Sequence, residues 1–145
     1  MKPLLIAFTF LASVVAQQSF AQTNEVSPVI LKAFNLTYSN VSNVKWSKVN
    51  DLYKAEFRLN DQEASTFYNA DGSIVASSRF ITPAQLPMLL QTKLDKNKDY
   101  KVTGLFEVAN AEGSHYYAVI EDAKTIITLQ SVENQDWITH TRKRR

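Results

Sequence analysis

From Leu52 to Leu59 the chain alternates without a break: Tyr53, Ala55, Phe57 and Leu59 fall to one side, Lys54, Glu56 and Arg58 to the other. Side chains of a strand repeat every two residues, so this segment predicts an antiparallel strand with one buried and one wet face. Val44 and Trp46 alternate with Lys45 and Ser47 before it, and Ala64, Thr66 and Tyr68 continue the inward set after it. Asn50-Asp51, Asn60-Asp61 and Asn69-Ala-Asp-Gly72 are turn sequences between these runs, and Ser73 to Phe80 makes a fourth strand. Upstream the period changes. Ser27-Pro28 is an N-cap followed by proline at the first helical position, and Ile30, Leu31, Phe34 and Tyr38 form one apolar stripe.

The order then repeats. Thr82-Pro83-Ala84-Gln85 has the capping-box sequence, and Leu86, Leu89, Leu90 and Leu94 have helical spacing, with Pro87 placed to kink this helix or delay its start. Tyr100, Val102 and Phe106 predict a strand with a bulge or kink at Gly104, and Ala111 to Ser114 a hairpin turn. Tyr116, Ala118 and Ile120 reproduce the spacing of Tyr53, Ala55 and Phe57; Lys124 to Ser131 and a short Trp137-Ile138 segment complete the set. The pattern predicts an α+β fold of two tandem repeats, each one helix on a four-stranded antiparallel meander, over residues 27–81 and 82–140.

The ends change the picture in one respect. Lys2, the apolar run Leu4 to Ala16 and the small residues Ser19 and Ala21 read as a signal peptide over residues 1–21, cleaved between Ala21 and Gln22. No cysteine follows to carry a lipid, so the mature chain is expected to be periplasmic or secreted, without a transmembrane segment. Residues 22–26 read as a flexible leader and 141–145 as a basic tail. With Lys2 removed, 15 basic residues face 14 acidic ones, and four of the basic ones are Arg142-Lys-Arg-Arg145. A body this close to neutral argues against nucleic acid as a partner.

Four segments together resemble a known family: Pro28 to Phe34 with Leu31 and Ala33, Asn43-Val-Lys-Trp46, Tyr53-Lys-Ala-Glu-Phe57 and Tyr68-Asn-Ala-Asp-Gly72. They are similar to the PepSY-like family of small exported bacterial domains, itself akin to the β-lactamase-inhibitor protein. The likeness is good over residues 27–80 and only fair over 82–137. The family often has phenylalanine or valine where Thr66 and Tyr68 stand here, and Pro87 is unusual for it. The resemblance implies a binding or inhibitory module with no catalytic residues to carry over.

Candidate chemistry is sparse. Asp95-Lys-Asn-Lys-Asp99 opens like a calcium loop, but Tyr100 stands at the glycine position and Phe106 at the bidentate glutamate position, so no metal site is expected. His115, near Ser114 and Glu112, and His140 are the two imidazoles, and strand neighbours face opposite sides, so neither assembles a nucleophile with its base. No cofactor and no enzymatic activity are expected. The outward sheet face is the candidate partner surface: Lys45, Lys54, Glu56, Arg58, Phe67, Tyr117 and Val119, with Phe67 and Tyr117 as exposed aromatics. The expected function is a non-enzymatic module that binds a protein in the envelope or periplasm, such as a peptidase or other hydrolase, through that face. The alternative is an envelope assembly component acting by self-association and the basic terminus, whose electrostatic foothold on an anionic surface would be weak.

Overall fold

Where the sequence places a cap, a helix begins. The Ser27 hydroxyl accepts from the Ile30 N–H at 3.5 Å, and Pro28 occupies the first turn of α1 (Pro28–Thr37). Val26, expected in a mobile leader, is instead buried in the cluster under α1, together with half-buried Leu31. Apolar residues just before the cap and in the first turn fix the angle at which the chain enters the helix. The computed structural model describes residues 18–19 and 26–145. The expected signal peptide and its cleavage at Ala21–Gln22 otherwise lie outside the described residues.

The strands follow the turn signals. They are β1 (Gln18–Ser19), β2 (Lys45–Val49), β3 (Leu52–Leu59), β4 (Gln62–Tyr68), β5 (Ile74–Phe80), β6 (Lys101–Asn110), β7 (Gly113–Glu121), β8 (Thr125–Val132) and β9 (Asp136–Arg144). Asn60 and Asp61 both have positive φ, the backbone a two-residue hairpin needs to match strand twist. Gly72 (φ +84°) closes the β4–β5 turn against α1, where an added Cβ would meet Val29 Cγ1 at 3.0 Å. Pro87 delays the second helix. Pro83–Gln85 forms a single 3₁₀ turn, and α2 (Met88–Asp95) starts only after the proline.

The expected pair of repeats is corrected by the pairing. Among the described residues all strands belong to one antiparallel sheet in the order β1 to β9, eight strands plus the two-residue β1, with two short helices, so the fold is mostly β. β5 and β6 are joined from Ala76↔Asn110 to Phe80↔Phe106, where two separate meanders would each present an open edge. Unpaired edge N–H and C=O groups invite pairing, and joining the meanders removes two such edges.

Register places α1 and α2 side by side on one face. Under α1, Phe34 meets Trp46 at 5.4 Å and Phe57 at 5.2 Å, with Ala55 and Tyr68 fully buried beside them. Under α2 lie Ile81, Leu105, Ala118, Ile120, Ile127 and Leu129. Half-buried Trp137 ties β9 to α2, its Nε1 donating to the Leu90 carbonyl at 2.9 Å. The basic terminus is not a frayed tail. Ile127↔Arg142, Ile126↔Lys143 and Thr125↔Arg144 continue the ladder, and the Arg145 N–H donates to the Lys124 carbonyl at 2.9 Å.

Candidate functional site: the helix-free face

Residues one step out of phase with the core point away from both helices. One row of register partners runs Lys45, Glu56, Ser65, Ser78, Val108, His115 across six strands. A second runs Lys54, Phe67, Ala76, Asn110, and a third Phe80, Phe106, Tyr117, Gln130, Ile138. No described helix packs on these rows.

The face nevertheless has its own apolar centre. Phe67, Ala76, Val108 and Tyr117 form a buried cluster, with Leu52, Val75 and Phe106 packed around it. They are shielded by neighbours on the same face. Lys54, its side chain 15% exposed, lays Nζ over the Phe67 ring at 5.8 Å and pairs with Glu56 at 2.7 Å. His140 meets Tyr117 edge-on at 5.8 Å between centroids, and burial raises the Tyr117 pKa above its ordinary value. His140 owes its position to a bulge, since Thr128 pairs with Thr141 and Leu129 with Thr139, leaving it as the extra residue.

A second bulge shapes the middle of the face. Register shifts between Val102 and Gly104, and an added Cβ at Gly104 would meet the Phe106 ring at 3.0 and 3.1 Å. Glycine therefore lets that ring lie over the backbone, where it meets the Phe80 ring at 4.4 Å between centroids with the planes tilted by 55°. Phe80 is 45% exposed and Ile138 52%, so apolar surface faces solvent beside the buried centre.

All seven sequence-selected residues lie on this face, but not with the expected exposure. Lys45 and Arg58 are open, Val119 and Glu56 half-buried, and Lys54 largely covered. Phe67 and Tyr117 are corrected: both are buried, at 6% and 3% exposure. Strand alternation tells the side of a sheet, and it is blind to how strongly neighbours on that side close over one another. The accessible aromatic is Phe80, missed because its strand carries little alternation beyond Ala76, Ser78 and Phe80 themselves.

The helix face offers one rival. A cleft of about 160 Å³ between the two cores is lined by Tyr38, Phe57, Ala64, Thr66, Arg79 and Glu107. Its charges answer each other, Arg79 and Glu107 approaching to 2.6 Å, and Tyr38 and Thr66 share a hydroxyl hydrogen bond of 2.9 Å. Its charged pair and its two hydroxyls are thus matched within the cleft, whereas Phe80 and Ile138 on the helix-free face are exposed apolar side chains.

No family model matches the sequence, and no curated protein does. Solved structures do. A protein of Bacteroides eggerthii described as periplasmic superposes with a TM-score of 0.74 at 13% identity, over 82% of this chain and 88% of that one. A DUF2874 family protein of Bacteroides uniformis gives 0.73 at 14% identity, over 81% and 88%. A BLIP-like protein of Bacteroides fragilis gives 0.67 at 17% identity, over 81% and 85%. Among the described residues no helix is long and apolar enough to cross a membrane. The chain thus has the fold shared by BLIP-like and DUF2874 proteins.

Proposed function

We propose that this is an exported, non-enzymatic binding module that docks a protein of the envelope or periplasm on the helix-free face of its sheet. The observation that carries the reading is the exposed apolar surface of that face, Phe80 and Ile138, seated on the buried cluster of Phe67, Ala76, Val108 and Tyr117 and flanked on β2 and β3 by Lys45, Glu56 and Arg58. An aromatic centre inside a charged rim is the usual anatomy of a protein-binding patch. The BLIP-like neighbour supports a binding role, and the periplasmic neighbour supports export by the signal sequence read in residues 1–21. We keep the PepSY-like resemblance as part of this reading, and with it an inhibitor-like action on a peptidase or other hydrolase.

The envelope-assembly alternative rests on self-association. Both outer strands carry cations, Lys45 and Lys48 on β2 and Arg142, Lys143 and Arg144 on β9, so edge-to-edge contact between copies opposes like charges. Photo-crosslinking in the producing cell separates the two. A photoreactive residue at Lys45, Arg58 or Phe80 should give one discrete adduct with another protein, and one at Leu36 or Met88, exposed on the helices, should give none. Adducts formed only from the helices, or only between copies of this chain, would overturn the proposal.

A further inference from the structure

The two outer strands of a sheet each leave half of their backbone N–H and C=O groups outside the ladder. One outer position is β2, against which β1 pairs through Gln18↔Lys48 and Ser19↔Ser47; Gln18 and Ser19 belong to the segment read as the cleaved signal, so in the exported chain β2 is an edge. The other is β9, and no described strand lies beyond it. Trp137 to Arg145 contains no acidic residue, and Arg142 to Arg145 are exposed; Arg145 pairs with Glu121 at 3.2 Å, and Asp122 in the neighbouring turn feels the Arg142 charge. Pairing with β8 holds Arg142 to Arg144 in an extended strand, so these cations line an edge at fixed spacing instead of trailing in solvent.

Charged side chains blunt an edge against aggregation, and β9 carries three in succession. Because strand neighbours alternate, Arg142 and Arg144 lie on one face, so a strand laid beside β9 meets two guanidinium groups on that side. A second copy would bring β9 or β2 against this edge, cation to cation, which opposes pairing. Acidic side chains reverse the sign of the same cross-strand contacts.

We propose that the outer edge of β9 takes up an extended acidic polypeptide segment as an added strand. Backbone hydrogen bonds hold the segment in line and its carboxylates meet Arg142 and Arg144, the division of labour by which strand addition gives affinity and specificity. This edge and the helix-free face are separate surfaces, so either can be lost without the other.

The test uses the full chain and a labelled peptide, Thr-Glu-Val-Glu-Val-Glu-Val-Thr, read by fluorescence anisotropy and amide hydrogen exchange. Binding should slow exchange in Thr139–Arg144, and R142E/R144E should weaken it at least about tenfold. The milder R142Q/R144Q pair, checked for an unchanged melting temperature, should lie between. The same peptide with proline for each valine keeps its charge and loses alternate N–H donors, and should bind at least about tenfold more weakly. No binding, equal binding of the proline peptide, indifference to R142E/R144E, or protection on β3 to β7 in place of β9 would each overturn the proposal. So would tighter association with vesicles of roughly 3:1 phosphatidylcholine and phosphatidylglycerol than with the peptide, because that places the charge in the service of a membrane.

Discussion

Tyr68 carries the sharpest consequence at the scale of one residue. It is fully buried, its hydroxyl has no hydrogen-bond partner among the described residues, and desolvation, with a smaller effect from Tyr38, pushes its pKa to about 12 from 10.0. A raised pKa means that the folded chain keeps a proton which the unfolded chain releases. This contribution is therefore intact below pH 10 and is lost as pH rises toward 12. The loss should reach roughly 2–3 kcal/mol, seen as a falling urea midpoint, and Tyr68→Phe should flatten it. At neutral pH that substitution should cost less than about 1 kcal/mol, since no hydrogen bond is given up. Phe57, at the centre of the aromatic cluster under α1, behaves differently. Phe57→Ala should cost about 3–5 kcal/mol in the same assay. Lys54→Ala, which simple alternation makes neutral, should cost about 0.5–1 kcal/mol through its contacts with Glu56 and Phe67.

Among the elements, the turns and bulges decide where faces point. Gly72→Ala should destabilise by about 1–3 kcal/mol, because the residue sits at positive φ and a Cβ presses on Val29 of α1. Gly104→Ala should cost less in denaturation and more in geometry: the Phe106 ring must move off the backbone, and its contact with Phe80 should be lost in the aromatic NMR shifts. Much of this was legible in the sequence. The Ser27 cap, the delay at Pro87, the Asn60-Asp61 turn and the irregularity at Gly104 each have a local chemical cause. The length of β9 was not legible. The bulge at His140 shifts the phase of its alternation, and a run of cations has no apolar face to reveal a strand.

For the molecule as a whole, the joint between β5 and β6 is what local patterns could not give. Strand partners are chosen by which edges remain open after folding, and Ser77 and Ala109, paired at that joint, are too small to announce it. One sheet carrying both cores should unfold in a single cooperative transition, with calorimetric and van't Hoff enthalpies equal, where independent repeats would show two. The same joint makes the helix-free face continuous from Lys45 to Ile138, and so gives a partner one broad surface in place of two small ones. The seven residues chosen from sequence fall together there because alternation is reliable about sides; the burial of Phe67 and Tyr117 and the prominence of Phe80 depend on packing across strands distant in the chain. The most direct measurement is the affinity of the protein recovered by crosslinking for the variant R58E/F80A. Both side chains are accessible, and Arg58 bonds only locally, to the Asp61 carbonyl at 3.0 Å, so the variant should keep its fold. Its affinity should drop by more than about tenfold, with the fold retained by circular dichroism and a melting temperature lowered only by the loss of the Phe80–Phe106 contact. L36A/M88A on the helices should bind as the parent does. Binding of R58E/F80A at parental strength would contradict the assignment of the helix-free face.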